Sequence, residues 1–283
     1  MITGVSYAGR PLDNTAMYIS KKVEYLVSNL VNVSGCKVFV ESTVEVPDDI
    51  RQKNEIVFTD TPQLDYARFV QQFDKERTEA ERKRKYSKTD GGYTVGENVK
   101  IGKGSYIEPG AFIGHDVIIG DNAYIKTGAV IKNAEIGNNF IAGENSVIGV
   151  NERLFTKDES GNNFRIPSFG KVVIGNNVEI GALSCVSCGQ AGNTVIGDNV
   201  HFLHMNQITH DVRIGNNVIV TVGTTIGGYT EIGDDTKIGF SSTIKNRLCI
   251  GKRALIGMGA VVTKNVDDGA TVIGNPAKPF VKE

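Results

Sequence analysis

Histidine followed by aspartate occurs twice in this chain, and these two residue types are well suited to proton transfer. His210 and Asp211 lie in the stretch HFLHMNQITHDVRIG, and His115 and Asp116 lie in AFIGHDVIIG. An imidazole takes up and releases a proton near neutral pH, and a neighbouring carboxylate can orient it. The wording around the two pairs is almost the same. Which of the two pairs can act as a general base must therefore depend on the structural elements around it.

Composition restricts the class of protein that carries these residues. The 283 residues include 31 Lys+Arg and 32 Asp+Glu, so the net charge of −1 favours neither nucleic acid nor an anionic membrane as a partner. No apolar run approaches the ~20 residues of a membrane span. The start, MITGVSYAGRPLD, lacks a signal-peptide pattern, and four scattered cysteines do not read as a disulfide framework. We expect a cytoplasmic protein.

A repeat of six residues organises most of the chain. The first series of aliphatic positions, one every six residues, runs from Val95 to Ile131 and, after one five-residue step, on to Ile148. A shorter series joins Ile174 to Val186. A six-residue period fits neither an amphipathic helix nor a hairpin meander, and it predicts short strands separated by sharp corners, three to a triangular coil. The longest series is Ile196, Phe202, Ile208, Ile214, Val220, Ile226, Ile232, Ile238, Ile244, Ile250, Ile256 and Val262.

These hexads, with corners such as GENV, GDNA, GNNF and GDNV, resemble those of the hexapeptide-repeat acyltransferases over roughly residues 93–278. The resemblance implies a mainly β fold, a left-handed parallel β-helix, which winds against the usual right-handed crossover rule. It also implies a homotrimer with active sites in clefts between neighbouring subunits.

The hexad period divides the chain. We expect a small α/β domain at residues 1–72, a charged linker at 73–92, and the β-helix domain at 93–267. A loop insertion at 149–173 interrupts the period, and a C-terminal tail covers 268–283. Strand-like runs such as CKVFV and the helical spacing of apolar residues within TAMYISKKVEYLVSNLV predict the α/β fold of the N-terminal segment.

Three further stretches resemble particular branches of the acyltransferases. ITGVSYAGRPLDNTAMYIS and VFTDTPQLDYARFVQQF look like the N-terminal domain of the UDP-acylglucosamine N-acyltransferases of lipid A synthesis, which implies uridine-nucleotide binding. A plain capping domain is the alternative. FRIPSFGKVVIG resembles a loop that covers the active-site cleft in the same family, which makes Phe155 and Phe169 candidate substrate contacts.

The C-terminal stretch resembles a different branch. GMGAVVTKNVDDGATVIGNPAKPF is similar to the end of CoA-dependent sugar and serine acetyltransferases, whereas the lipid A family ends in a helical extension associated with acyl carrier protein. We therefore expect an acyl-CoA thioester as co-substrate and no metal. The same resemblance places Gly259 with the cofactor-binding residues.

The period also places residues on one edge of the coil. Three hexads make one coil of 3 × 6 = 18 positions, so residues 18 apart stack with a spacing of ~4.8 Å. If the long insertion replaces the corner of a single hexad, and after allowance for four extra residues between Val186 and Ile196, His115 falls four coils below His210, roughly 19 Å away. The predicted column contains Glu97, His115, Cys188, His210, Gly228, Asn246 and Lys264.

Roles follow from the column and from the resemblance. ITHDVRIG matches the histidine motif of the family, which implies that His210 is the general base and Asp211 its orienting partner. A glycine at 228 would let an extended pantetheine arm lie close to the backbone, and its N–H could face the thioester oxygen. Asn246 and Lys264 continue the path of that arm as cofactor contacts.

Other residues of the column are candidates for the substrate side of the site. Cys188 and His115 are candidate substrate contacts, and a covalent relay through Cys188 is a less favoured route. The carboxylates of Asp90 and Glu97 are second candidates for holding a sugar ammonium group and taking its proton.

These observations predict an acyl-CoA-dependent N-acyltransferase that acts on a nucleotide-linked amino sugar. The alternatives within the fold are an acyl-carrier-protein-dependent enzyme of the lipid A type and a sugar O-acetyltransferase. A zinc-dependent lyase is a different class, which would need three histidines such as His201, His204 and His210 to converge across a subunit cleft. A non-catalytic scaffold that binds a sugar nucleotide is the last alternative.

Overall fold

The computed structural model describes residues 2–152 and 154–280. Two compact units account for them. Residues 2–83, 154–169 and 190–192 form the N-terminal unit, and residues 84–152, 170–189 and 193–280 form the β-helix unit. No helix among the described residues combines the length and the apolar content needed to cross a membrane.

The N-terminal unit is built on a parallel sheet, as the α/β pattern predicts. Its strands follow the order of the chain, Gly4–Val5, Thr15–Ile19, Lys37–Glu41 and Glu55–Thr59. The connecting helices are a 3-10 segment (Lys21–Asn32), α1 (Asp48–Lys53) and α2 (Pro62–Lys83).

Two predicted boundaries of this unit differ from the structure. Helix α2 crosses the predicted boundary at residue 72 without a break. Beyond that boundary, Arg77 of the helix stacks on Phe169 and donates to the carbonyl of Ser168 at 2.8 Å. The insertion is not a bare loop but contains an antiparallel hairpin, Leu154–Lys157 with Asn163–Ile166. Ile166 is fully buried in an apolar cluster with Phe39 and Tyr66 of the N-terminal unit.

The β-helix unit is a stack of triangular coils with three faces of parallel strands, as the hexads predict. Two pairings at the ends are antiparallel, Ser87–Lys88 with Thr94–Val95 and Thr271–Ile273 with Lys278–Pro279. Face 1 contains Lys100–Ile101, Ile118–Ile119, Ala134–Ile136, Val172–Ile174, Thr194–Ile196, Arg213–Ile214, Glu231–Ile232 and Cys249–Ile250. Face 2 contains Tyr106–Ile107, Tyr124–Ile125, Ile141–Ala142, Glu179–Ile180, His201–Phe202, Ile219–Val220, Lys237–Ile238, Leu255–Ile256, Thr271–Ile273 and Lys278–Pro279. Face 3 contains Ser87–Lys88, Thr94–Val95, Phe112–Ile113, Val130–Ile131, Val147–Val150, Cys185–Ser187, Gln207–Ile208, Thr225–Ile226, Thr243–Ile244 and Val261–Val262.

The ends of this unit correct the predicted linker and tail. Residues 84–92 belong to the β-helix unit, where Ser87–Lys88 pairs with the first strand of face 3. Thr271–Ile273 pairs in parallel with Leu255–Ile256, so the coil continues past the predicted end at residue 267.

In most strands of this unit one apolar side chain points into the coil, and together these side chains form the core. Ile208, for example, pairs in register with Val186 below and Ile226 above, and all three are fully buried. Burying one such side chain contributes about 1.5–3 kcal/mol, and the stacked coils repeat this contribution many times.

Short polar side chains occupy many of the corners because a corner residue adopts the left-handed conformation. Asn177 and Asn199 adopt φ values of 56° and 55°, which asparagine accepts at little cost. A second Asx residue links the coils along the corner between faces 1 and 2. Asn176 Oδ1 accepts the N–H of Asn138 at 2.9 Å, and Asp198 Oδ1 accepts the N–H of Asn176 at 2.6 Å.

Candidate functional site

The corner after face 3 carries the predicted column. Pairing of Ile208 with Ile226, of Ile226 with Ile244 and of Ile244 with Val262 places Gly228, Asn246 and Lys264 on successive coils above His210. Val186 pairs with Ile208, which places Cys188 on the coil below. At ~4.8 Å per coil, Lys264 lies three coils, or about 14 Å, above His210.

His210 and Asp211 form a buried pair at this corner. The Nδ1 atom of His210 lies 2.9 Å from Oδ2 of Asp211, and the two residues are only 8% and 3% exposed. A carboxylate can only accept a hydrogen bond, so Nδ1 is the donor. In the neutral ring the lone pair then resides on Nε2, which is the arrangement a general base requires.

Aromatic and glycine neighbours fix the His210 ring. The Tyr229 ring meets it edge to face at 5.0 Å, and the Arg247 guanidinium lies over the Tyr229 ring at 4.5 Å. A Cβ atom at Gly228 would stand 2.6 Å from Nε2 of His210. The missing side chain at 228 therefore makes room for the imidazole, and this space is not open for a pantetheine arm as the sequence suggested.

Replacement of Gly228 by alanine should displace the imidazole without unfolding the coil. We expect kcat to fall about 100-fold, because the ring must tilt away from the added methyl and misaligned catalytic groups lose rate steeply. The free energy of unfolding should change by less than about 1 kcal/mol, since only the end of a side chain moves. Steady-state kinetics and urea unfolding check both. Gly4, around which an added Cβ meets nothing within 4 Å, is the matched Gly→Ala control, and an unchanged kcat in Gly228→Ala contradicts the prediction.

The second pair, His115 and Asp116, has different hydrogen-bond partners. Nδ1 of His115 accepts the N–H of Glu97 at 2.7 Å, and its ring packs on Tyr86 with centroids 4.2 Å apart. Because Nδ1 is an acceptor here, the neutral ring carries its proton on Nε2 and offers no lone pair there. Asp116 accepts from Arg84 Nη2 at 3.1 Å instead of contacting the imidazole. We interpret His115 as a structural residue of the first coils.

The second candidate base pair is not assembled. Asp90 lies in the exposed turn that joins Ser87–Lys88 to Thr94–Val95, and Glu97 follows the far end of the second strand. The intervening extended chain separates them by roughly 16 Å. Hydrogen bonds from the N–H of Lys85 and from Arg84 hold the pKa of the Glu97 carboxyl below its usual range, which makes it a weak base.

The remaining four candidates lie in four different environments. Cys188 is fully buried, and its Sγ contacts Asn151 Oδ1 at 3.4 Å. Phe155 is exposed on the hairpin of the insertion. Phe169 packs in the apolar cluster of the N-terminal unit. Gly259 has a φ of 66° and follows a strand of face 2, so it lies at a different corner from His210.

The remaining histidines do not form a metal site with His210. His201 lies on a strand of face 2, where Nδ1 is 3.6 Å from Glu179 Oε2. His204 follows that strand and accepts the N–H of Ala182 at 3.0 Å through Nδ1. Among residues 2–152 and 154–280, no three His, Cys, Asp or Glu side chains of the chain converge on one point.

Tyr229 and Arg247 are site residues that sequence reasoning missed. They occupy the same left-handed corner position as Asp211, with φ values of 60° and 63°, although bulky residues rarely adopt this conformation. The signal was available, because positions 211, 229 and 247 are spaced by one 18-residue coil. No pattern in the sequence indicates which hydrogen-bond partners the two His-Asp pairs adopt.

Comparison with known proteins supports the fold. Residues 98–133 match the family model described as bacterial transferase hexapeptide (six repeats). A UDP-N-acetylglucosamine acyltransferase from Campylobacter jejuni superposes with a TM-score of 0.58 and 25% identity, over 67% of this chain and 72% of the other. The Arabidopsis UDP-N-acetylglucosamine acyltransferase gives a TM-score of 0.60 and 28% identity, over 66% of this chain and 65% of the other.

Curated relatives point to a related activity. A UDP-3-O-acylglucosamine N-acyltransferase of Caulobacter sp. (strain K31) is 36% identical over 115 residues, which are 41% of this chain and 34% of the relative. UDP-3-O-acylglucosamine N-acyltransferase 2 of Legionella pneumophila (strain Paris) is 45% identical over 130 residues, 46% of this chain and 38% of the relative. The matched segments thus span little more than a third of these relatives. The β-helix unit is a left-handed β-helix of hexapeptide repeats, related to those of nucleotide-sugar acyltransferases.

Proposed function

We propose that this hexapeptide-repeat β-helix protein is an N-acyltransferase that transfers an acyl group to the amine of a UDP-linked, 3-O-acylated glucosamine. The observation that carries the proposal is the buried His210–Asp211 pair, whose hydrogen bond leaves a lone pair on Nε2. The names of the curated relatives favour this lipid A type of acceptor, which the sequence suggested only as an alternative.

The pair supplies the proton transfer of the reaction. Nε2 of His210 removes a proton from the sugar amine as its nitrogen attacks the thioester carbonyl, and Asp211 stabilises the resulting imidazolium. The tetrahedral oxyanion is held by a backbone N–H, for which Gly228 is our candidate because it borders Nε2. Collapse breaks the C–S bond, and the imidazolium returns its proton to the leaving sulfur. The products are an amide and a free thiol.

The column above His210 fits the arm of an acyl donor. Asn246 and Lys264 are exposed on successive coils, and Lys264 lies about 14 Å from His210 at the usual strand spacing. A phosphopantetheine arm has about thirteen bonds between sulfur and phosphorus, or roughly 15 Å when extended. A thioester placed at Nε2 would therefore bring its phosphate within reach of the Lys264 ammonium. CoA and acyl carrier protein share this arm, so both remain donors to test.

The N-terminal unit is our candidate for the nucleotide. It contains an apolar and charged cavity of about 450 Å³. Lys37 lies over the Phe69 ring at 5.3 Å from its centroid, and it pairs with Glu55. An aromatic wall beside a cation suits a planar base and a nearby phosphate. The lining residues are Ile2, Gly35, Cys36, Lys37, Glu55, Phe69 and Phe73.

A homotrimer is part of the proposal, and an exposed apolar edge supports it. This edge runs along the corner after the strands of face 2, and a group of exposed large apolar side chains is typical of an interaction site. Its exposed members are Leu183, Leu203, Met205, Phe240 and Met258. Light scattering of the purified chain tests the mass of the assembly.

The activity is tested by following thiol release from the full chain. UDP-3-O-acylglucosamine is offered with acyl-CoA in one arm and with acyl carrier protein in the other, and UDP-N-acetylglucosamine replaces the acceptor as a control whose amine is blocked. The proposal expects release only with the free amine. Faster release with the blocked amine would favour O-acylation, and no release with either donor would favour a binding scaffold. Dependence of the rate on added zinc would favour metal chemistry.

A further inference from the structure

The backbone of Asp211 is held differently from the other left-handed corner residues around it. At Tyr229 the corner N–H donates to the carbonyl of His210 one coil below at 3.1 Å, and at Arg247 it donates to the carbonyl of Gly228 at 2.9 Å. At Asp211 the N–H donates instead to a side chain, the hydroxyl oxygen of Thr194, at 2.9 Å. The residue that corresponds to His210 and Gly228 on the coil below is Cys188, and its carbonyl is the acceptor that a regular corner would use.

The irregular spacing between Val186 and Ile196 explains why the N–H of Asp211 donates to a side chain instead of a backbone carbonyl. Between Val186 and Ile196 the chain takes ten residues where a regular hexad takes six. The extra residues fold back so that Gly189 donates to the carbonyl of Lys171 and Gly170 donates to the carbonyl of Gly189. The corner below Asp211 is thereby rebuilt, and Thr194 begins the next strand with its hydroxyl at the place of the usual carbonyl.

Thr194 stands in place of the valine that both neighbouring coils of face 1 carry at this position. It is fully buried two positions before its anchor Ile196, as Val172 and Val212 are before theirs. A threonine at an apolar position costs desolvation of its hydroxyl unless that hydroxyl is used. Here it satisfies the buried N–H of the residue whose carboxylate orients His210.

We infer that Thr194 is a positioning residue for the His210–Asp211 pair, acting through the backbone of Asp211. This inference rests on the proposed function of that pair as the general base. The hydroxyl sets the corner conformation of Asp211, which aims the carboxylate at Nδ1 and keeps the lone pair on Nε2. A shift of the carboxylate would loosen the hydrogen bond that selects this tautomer.

The test compares two valine substitutions in the full-length chain. Thr194→Val removes the acceptor at a position where Val172 and Val212 show that valine fits. Thr236→Val is the matched control, because Thr236 is also fully buried and donates to the carbonyl of Gly251 at 2.8 Å. We expect both variants to lose a few degrees of Tm, since each leaves a buried backbone group with one partner fewer.

Only Thr194→Val should change catalysis. We expect its kcat to fall about 10- to 50-fold with little change in KM, because the base is misaligned while substrate contacts remain. Thr194→Ser, which keeps the hydroxyl, should return kcat to within about threefold of the unmodified protein. Equal kcat values for Thr194→Val and Thr236→Val would overturn the inference, and so would a failure of serine to restore the rate.

A second readout separates this inference from the proposed function. The imidazole nitrogen resonances of His210, assigned by their loss in His210→Asn, report which ring nitrogen carries the proton. We expect a single Nδ1-protonated form in the unmodified protein and a mixture of tautomers in Thr194→Val. Unchanged resonances in that variant would overturn the role of Thr194 whatever the activity is. If instead His210→Asn is fully active while the resonances shift as expected, the general-base role proposed for His210 fails and the positioning of its ring by Thr194 stands.

Discussion

Replacement of His210 by asparagine should lower kcat about 1,000-fold and leave KM within about threefold of its value. General bases contribute about 10²–10⁴ in rate, so this loss corresponds to about 4 kcal/mol of transition-state stabilisation. Steady-state kinetics on the full chain, with the donor that releases thiol fastest, measure both effects.

The other His-Asp pair supplies the control for this substitution. In His115→Asn, an amide oxygen can still accept the N–H of Glu97, which Nδ1 accepts at 2.7 Å. We expect its kcat to stay within about threefold of the unmodified protein, because His115 lies roughly 19 Å from His210. A near-normal kcat in His210→Asn would instead show that the amine needs no protein base.

Replacement of Asp211 by asparagine should lower kcat about 100- to 1,000-fold with the coil intact. The side chain keeps its size, but its amide group can donate to Nδ1 and so place the ring proton on Nε2. A wrong tautomer at a comparable hydrogen bond costs serine proteases about 10⁴ in kcat, and a direct amine nucleophile depends less on the base. Kinetics, together with the imidazole resonances of His210, measure the loss and its cause.

Asp116→Asn is the matched control, since Asp116 has the same corner conformation and the same preceding residue type. Its carboxylate contacts Arg84 and Asn98 rather than the imidazole. We expect unchanged kcat and a modest loss of thermal stability. The double variant His210→Asn with Asp211→Asn should be no slower than His210→Asn alone, because the two residues act as one unit. Additive losses would mean that Asp211 acts independently of the imidazole.

The period of the sequence predicts much of the site because the fold is nearly one-dimensional. Each coil contacts only its neighbours, so a residue's place follows from counting in steps of 18. This reasoning correctly placed Gly228, Asn246 and Lys264 above His210, since each anchor pairs with the next in register. It also placed Cys188 below, although there the chain departs from the period.

The same counting cannot tell what a side chain touches. Gly228 was expected to admit a donor arm, yet its open side is filled by the His210 ring. Asp90 and Glu97 were expected to converge, but a strand of face 3 separates them. The hairpin of the insertion packs in the apolar cluster around Tyr66. No local sequence pattern in the insertion predicts this packing.

The sequence by itself determined the coil, its corners and the residues that share an edge, because a six-residue repeat leaves a parallel stack one way to bury its aliphatic column. Only the tertiary structure decided which of two nearly identical His-Asp pairs can act as a base. At His115 a backbone N–H occupies Nδ1 and Arg84 holds Asp116. At His210 a carboxylate occupies Nδ1, and Thr194 holds that carboxylate's own backbone in place. Arg84 and Thr194 come from parts of the chain outside the regular hexads, and the direction of a single hydrogen bond sets where the lone pair lies.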